Sequence, residues 1–205
     1  MRKLVTAAGM LALLLAGSSA FAQTQAVGAN TAAATLQVSV TVAKAIRLTL
    51  STGTQCTVAA GAAPPDYTMN FGTVDALAIS AGACGAKFAP TTPGTTPAVY
   101  YSDYKLKPTF TSQSATNNTL TAYVSTNFAT ASGLLSIVQK NSAPSAIGDM
   151  TAMSTSVGSQ TSVATNTASG TEITRYIGVS VAPQNGAGTL TGAGSATITY
   201  TLTVS

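Results

Sequence analysis

Period-two alternation of apolar and polar side chains recurs along this chain, and a period of two is the signature of an extended strand with one buried face. From Ser195 to Val204, Ile198, Tyr200, Leu202 and Val204 occupy one phase while Thr197, Thr199, Thr201 and Thr203 occupy the other. From Glu172 to Ala182, Ile173, Arg175, Ile177, Val179 and Val181 fall in one phase, with Arg175 the single polar intruder. Between Thr35 and Val42 the chain reads Thr-Leu-Gln-Val-Ser-Val-Thr-Val, which puts Leu36, Val38, Val40 and Val42 on one face. Sheets with one dry and one wet face are characteristically antiparallel. The expected class is therefore all-β, an antiparallel sandwich or barrel.

Composition agrees. Thr, Ser, Val and Ala recur, Gly and Pro punctuate, and the helix-favouring Glu occurs only at Glu172. Strands are expected near 35–42, 45–51, 67–74, 76–80, 99–106, 119–125, 133–139, 172–182 and 195–204. Pro183 to Gly194, with Asn185 and repeated glycines, reads as a turn-rich connector. The Ser/Thr/Ala-rich stretch from Lys140 to Gly170 reads as a long surface loop with one weak strand near Thr161 to Ala164. No repeat at a fixed period is evident.

The first 22 residues carry Arg2 and Lys3, an apolar run from Leu4 to Leu15, and small residues at Ala20 and Ala22. This is the pattern of a cleaved secretory signal, and the mature chain is expected to start at Gln23. The organisation that follows is a signal peptide at 1–22, a flexible tether at 23–34, a candidate donor strand at 35–42 and a sandwich domain at 43–205. No later stretch reaches the roughly 20 apolar residues of a spanning helix, so no integral membrane segment is expected after cleavage. After removal of the leader, seven cations face five acids, a net charge of 7 − 5 = +2. The cations form no run, which argues against nucleic acid as a partner.

Two cysteines, Cys56 and Cys84, remain in an exported chain, and an even count in an oxidising compartment predicts a disulfide. Metal ligation is the competitor, but the chain contains no histidine and two thiolates alone do not close a site. A bridge over this separation would constrain the unfolded chain by roughly 3.5 kcal/mol.

The lack of histidine also removes the Ser-His and Cys-His constellations. Asp66, Asp75, Asp103, Asp149 and Glu172 are scattered, and no motif pairs two of them as acid and base. Neither catalysis nor a metal or organic cofactor is expected. Tyr100, Tyr101 and Tyr104 form a local cluster that could stack a sugar, but neighbours in a strand point to opposite faces, so Tyr101 is expected to part from the other two.

The stretch from Leu48 through Cys56 to Val58, then Met69-Asn-Phe71-Gly72-Thr-Val, then Ala78-Ile79-Ser80 running to Cys84, resembles the start of spore coat protein U domains and archaic chaperone-usher pilins. Tyr176-Ile-Gly178-Val-Ser-Val-Ala182-Pro183, a glycine-rich turn and a terminal Thr-rich strand are similar to how those subunits end. The resemblance covers both ends of the mature chain and fades from about Phe88 to Gly170. It implies an immunoglobulin-like sandwich, an incomplete one completed by a donor strand. A periplasmic chaperone fills the groove first, and an outer-membrane usher exchanges it for the N-terminal strand of the next subunit, yielding a fibre.

On that reading Leu36, Val38, Val40 and Val42 are donor residues and Ile198, Tyr200, Leu202 and Val204 line the acceptor edge. The chain would then be a fimbrial subunit at the cell surface or in the extracellular space, supporting adhesion or biofilm formation. Two features depart from the family. Ile46, Leu48 and Leu50 continue the even phase past Lys44, so the donor could begin later or run longer, and Ala193-Gly194-Ser195-Ala196 stands where Tyr and Asp are common. The alternative is a self-contained secreted or spore-coat-like sandwich that does not polymerise, with glycan binding as one role. An outer-membrane barrel fits less well, since barrels favour long strands with aromatic girdles and this chain has no Trp.

Overall fold

The computed structural model describes residues 37–40, 45–61, 64–111, 117–129, 133–183 and 194–205. The chain falls into two units, Met1–Ala43 and Lys44–Ser205. In the first, residues 37–40 belong to no strand, and the side chains of Val38 and Val40 are 79% and 83% exposed. The expected signal peptide, the tether, Leu36 and Val42 lie outside the described residues.

The second unit is nearly all antiparallel β structure, as the alternation predicts, with two short 3-10 turns at Ile147–Asp149 and Val157–Ser159. Its strands are β1 (Ile46–Thr52), β2 (Val58–Ala60), β3 (Tyr67–Met69), β4 (Ala86–Phe88), β5 (Ala98–Phe110), β6 (Asn118–Thr126), β7 (Leu135–Lys140), β8 (Thr151–Ala152), β9 (Thr161–Thr165), β10 (Ile173–Val181) and β11 (Thr197–Val204). The larger sheet runs β1-β5-β10-β7-β8, with β4 also on β5; the smaller runs β11-β6-β9, and β2-β3 form a hairpin. The long strand β5 carries β1 along its second half, from Thr52 opposite Tyr104 to Ile46 opposite Phe110, and β4 along its first, from Ala86 opposite Tyr101 to Phe88 opposite Val99. Pro108 is tolerated there because its carbonyl accepts from Gly170 N past the end of β10, so its nitrogen faces no ladder partner.

The two sheets enclose Tyr104, Leu106, Leu120, Ala122, Val124, Ile137, Val163, Ile177 and Val179, all buried. Arg175 sits in the apolar phase without disrupting it. Its Nε donates to the Val163 carbonyl at 2.7 Å, and its Nη1 to the Thr174 and Asn141 carbonyls at 2.8 and 3.3 Å, which stitches β10 to β9.

Besides the strand expected at 35–42, whose described residues 37–40 are coil, three expectations need correction. The strand expected at 76–80 is a turn, because the Asp75 carboxylate accepts from the backbone N–H groups of Leu77, Ile79 and Ser80, and Ala78 takes a positive φ of 54°. The strand expected over 67–74 is confined to β3, and Gly72 at φ 68° turns the chain. The stretch from Lys140 to Gly170 contains the strand expected near Thr161 to Ala164, as β9, but is not otherwise a surface excursion, for Met150, Met153, Val163 and Ala164 are buried and β8 and β9 pair within the two sheets.

Cys56 and Cys84 are bonded, tying the segment after β1 to the loop before β4. A second clamp lies beside it. The buried Asp103 carboxylate accepts from Thr54 N, Thr54 Oγ1 and Gln55 N, and Ser102 Oγ accepts from Cys56 N. Any side chain at Gly53 would collide with that carboxylate. Asp103→Ala is expected to cost about 2 kcal/mol, because the loop donors lose their shared acceptor while the exposed Thr54 and Gln55 regain water. Chemical denaturation checks this; a loss below about 0.5 kcal/mol would mean the clamp is incidental.

Candidate functional site

The two long sides of the sandwich are closed differently. On one, Arg175 joins β10 to β9, and the chain after β8 passes between the sheets. There Met153 N donates to Ile137 O on β7, and Ser154 O accepts from Val124 N on β6. Backbone hydrogen bonds therefore bridge larger and smaller sheet on that side.

On the other side the outermost strands are β1 and β11. Among the described residues, β1 pairs only with β5 and β11 only with β6. The inward residues of these strands are correspondingly unfinished. Leu48 and Leu50 from β1, and Ile198, Tyr200 and Leu202 from β11, pack against the core yet stay half-buried, and Ile46 is 53% exposed. An edge of this kind presents a row of backbone donors and acceptors, and proteins usually blunt such edges with charge or proline. β11, Thr-Ile-Thr-Tyr-Thr-Leu-Thr-Val, carries neither.

All four residues expected along the acceptor edge thus lie on one open strand. Ile198, Tyr200, Leu202 and Val204 stand opposite Val124, Ala122, Leu120 and Asn118 of β6. The small Ala122 leaves room for the Tyr200 ring, whose hydroxyl lies 2.9 Å from that of Tyr104 on β5. Burial pushes the Tyr104 phenol up to about 12, against the lowering effects of the Tyr200 hydrogen bond and the Arg175 charge. Burial likewise raises the Tyr200 phenol well above its ordinary value, with Tyr104 adding to the effect. Tyr200 is half-buried, and its hydroxyl reaches the buried Tyr104. Of the expected donor residues, Val38 and Val40 are exposed coil.

Several of the remaining polar groups are engaged structurally. Tyr100 and Tyr104 are buried in the core, whereas Tyr101 turns to the opposite face and stacks on Phe88 with ring centroids 4.8 Å apart. The three tyrosines form no common platform. Burial pushes the Asp75 carboxyl up, but hydrogen bonds from Ser80, Ile79 and Leu77 outweigh it and hold the group well below the usual carboxylate range. The Ser145 backbone, Lys140 and the Ser145 hydroxyl do the same for Asp149. Carboxylates held this acidic cannot store a proton at neutral pH, which general acid catalysis requires. Glu172 pairs with Lys105 at 3.5 Å. Among the described residues no three His, Cys, Asp or Glu side chains gather as a metal would need.

The loop between β3 and β4 carries a feature that the sequence reading missed. Asp75, which accepts from the Tyr100 hydroxyl, and Lys87, whose Nζ donates to Ser80 O at 2.7 Å, tie it to β5 and β4. Ala78 is tucked in while Leu77 and Ile79 point outward, 48% and 77% exposed. Comparison with known protein families, with curated proteins and with solved structures gives no match. Among the described residues no helix is long and apolar enough to cross a membrane.

Proposed function

We propose that this chain is a structural subunit of a surface pilus, an incomplete immunoglobulin-like sandwich that polymerises by accepting the N-terminal strand of another copy along β11. The observation that carries this reading is the asymmetric closure of the sandwich. One side is bridged by Arg175 and the 153–154 crossing, while the other carries two half-buried apolar rows on β1 and β11, strands with no outer partner among the described residues.

The occupant follows from matching. β11 has eight residues with four in the inward phase, and the segment 35–42 has eight with Leu36, Val38, Val40 and Val42 in one phase. Strand addition would pair the side of β11 that has no partner strand among the described residues, and alternate apolar side chains set the register. The resemblance of both chain ends to spore coat protein U domains and archaic chaperone-usher pilins supports the same assignment, with a periplasmic chaperone and an outer-membrane usher as assembly partners. The role is mechanical rather than catalytic, in adhesion or biofilm formation. It entails export through the periplasm to the cell surface.

A synthetic peptide of residues 35–42 added in excess while the mature chain refolds is expected to occupy the grooves and leave single subunits, read by sedimentation. The same peptide with Val40→Asp should leave polymerisation untouched. A mature chain that stays monomeric at high concentration without any partner, with 35–42 protected from hydrogen exchange inside its own sheet, would favour the self-contained sandwich.

A further inference from the structure

We propose that the loop carrying Leu77 and Ile79 is a second docking surface for another copy of this chain, seated against the start of β1 around Ile46 of the adjoining subunit. The inference rests on the strand-addition reading and extends it from one shared strand to a contact between folded bodies.

Strand directions locate the contact. β5 runs from Ala98 to Phe110, and β6 returns with Asn118 beside Thr167, near the Phe110 end that Ser169 binds. β11 is antiparallel to β6, so Thr197 lies at the end of the sandwich where β5 begins and Val204 at the end where β5 finishes. An incoming strand antiparallel to β11, the commoner and slightly more stable pairing, runs the other way. Its last residue, Val42, leaves the groove at the end where β5 begins. The Leu77–Ile79 loop sits at that end and on the β1 side of β5, fixed through Asp75 to Tyr100 and through Lys87 of β4.

Tether length then forces the bodies together. Only Ala43, Lys44 and Ala45 separate Val42 from Ile46, the first residue of β1. Four Cα steps span at most about 14 Å, so the donor subunit's β1 must begin within that reach of the groove mouth. Ile46, Leu77 and Ile79 are three of the most exposed large apolar residues among those described. A loop held by one carboxylate, one lysine and a nearby disulfide loses little freedom on docking, which is what a preorganised contact requires. The resulting contact is head-to-tail, and it repeats along an open fibre.

The test places Ile46→Cys and Ile79→Cys together in the mature chain and treats assembled material with a short bis-maleimide. The expected result is a ladder of covalent multimers, lost when either cysteine is omitted and lost when Val40→Asp blocks assembly. Polymer that forms and is abolished by Val40→Asp, yet yields no ladder, overturns the body contact while leaving strand addition standing. Polymer indifferent to Val40→Asp, or no polymer at all, overturns strand addition and this contact with it.

Discussion

Val40→Asp in the mature chain is expected to leave the subunit's own stability unchanged and to abolish its assembly. The asymmetry arises because Val40 is 83% exposed, so a carboxylate there costs the isolated subunit nothing by burial. Inserted against β11, the same carboxylate would have to enter an apolar row with no partner, a penalty on the order of 4 kcal/mol or roughly a thousandfold in affinity. Ser39→Asp and Thr41→Asp occupy the opposite phase, face water in the joined sheet, and should weaken assembly far less. Thermal unfolding of the monomer and sedimentation of the polymer separate the two quantities. Equal damage from positions 39, 40 and 41 would sink the proposed register.

The strands legible in the sequence are those in which tertiary packing and side-chain period agree. β1, β6, β10 and β11 fall within a residue or two of expectation, since each buries one face against the other sheet. β5 is longer than expected, because alternation alone gave no reason to carry a strand through Pro108; the answer lay in where β10 stops. The turn at 75–80 was illegible for a different reason. Val74, Ala76, Ala78 and Ser80 look like strand residues, and only a carboxylate collecting three backbone donors overrides that propensity.

β11 was legible as a row of alternating residues, but its position as an edge strand among the described residues was not. Whether β11 is an inner or an edge strand depends on pairing partners scattered through the chain, notably the crossing at Met153 and Ser154 inside a stretch that reads as loop. The exposure of Leu77 and Ile79 was hidden similarly, because apolar letters in sequence are taken for core unless something holds them outward.

Alkaline pH should loosen β11 from the rest of the sandwich through the Tyr104–Tyr200 pair. Burial raises both phenols, Tyr104 to about 12 from an ordinary 10. A raised phenol means that the fold favours the neutral form, so the stability it contributes is complete below pH 10 and disappears as pH climbs through the folded value. For Tyr104 alone the shift corresponds to about 3 kcal/mol, lost between roughly pH 10 and 12. The loss is local in origin, since the hydroxyl pair spans from β5 in the larger sheet to β11 in the smaller. An anion at either oxygen would sit in the core opposite its neighbour's hydroxyl, and at Tyr104 that hydroxyl and the Arg175 charge together do not offset the burial. Denaturation midpoints measured at pH 9 and at pH 12 should therefore fall steeply in the unaltered chain and much less in the Tyr104→Phe, Tyr200→Phe double variant. A single Tyr200→Phe change should fall between them, because Tyr104 stays buried and still titrates. If the double variant loses stability as steeply as the parent, deprotonation elsewhere governs alkaline unfolding and the pair does not lock β11 to β5.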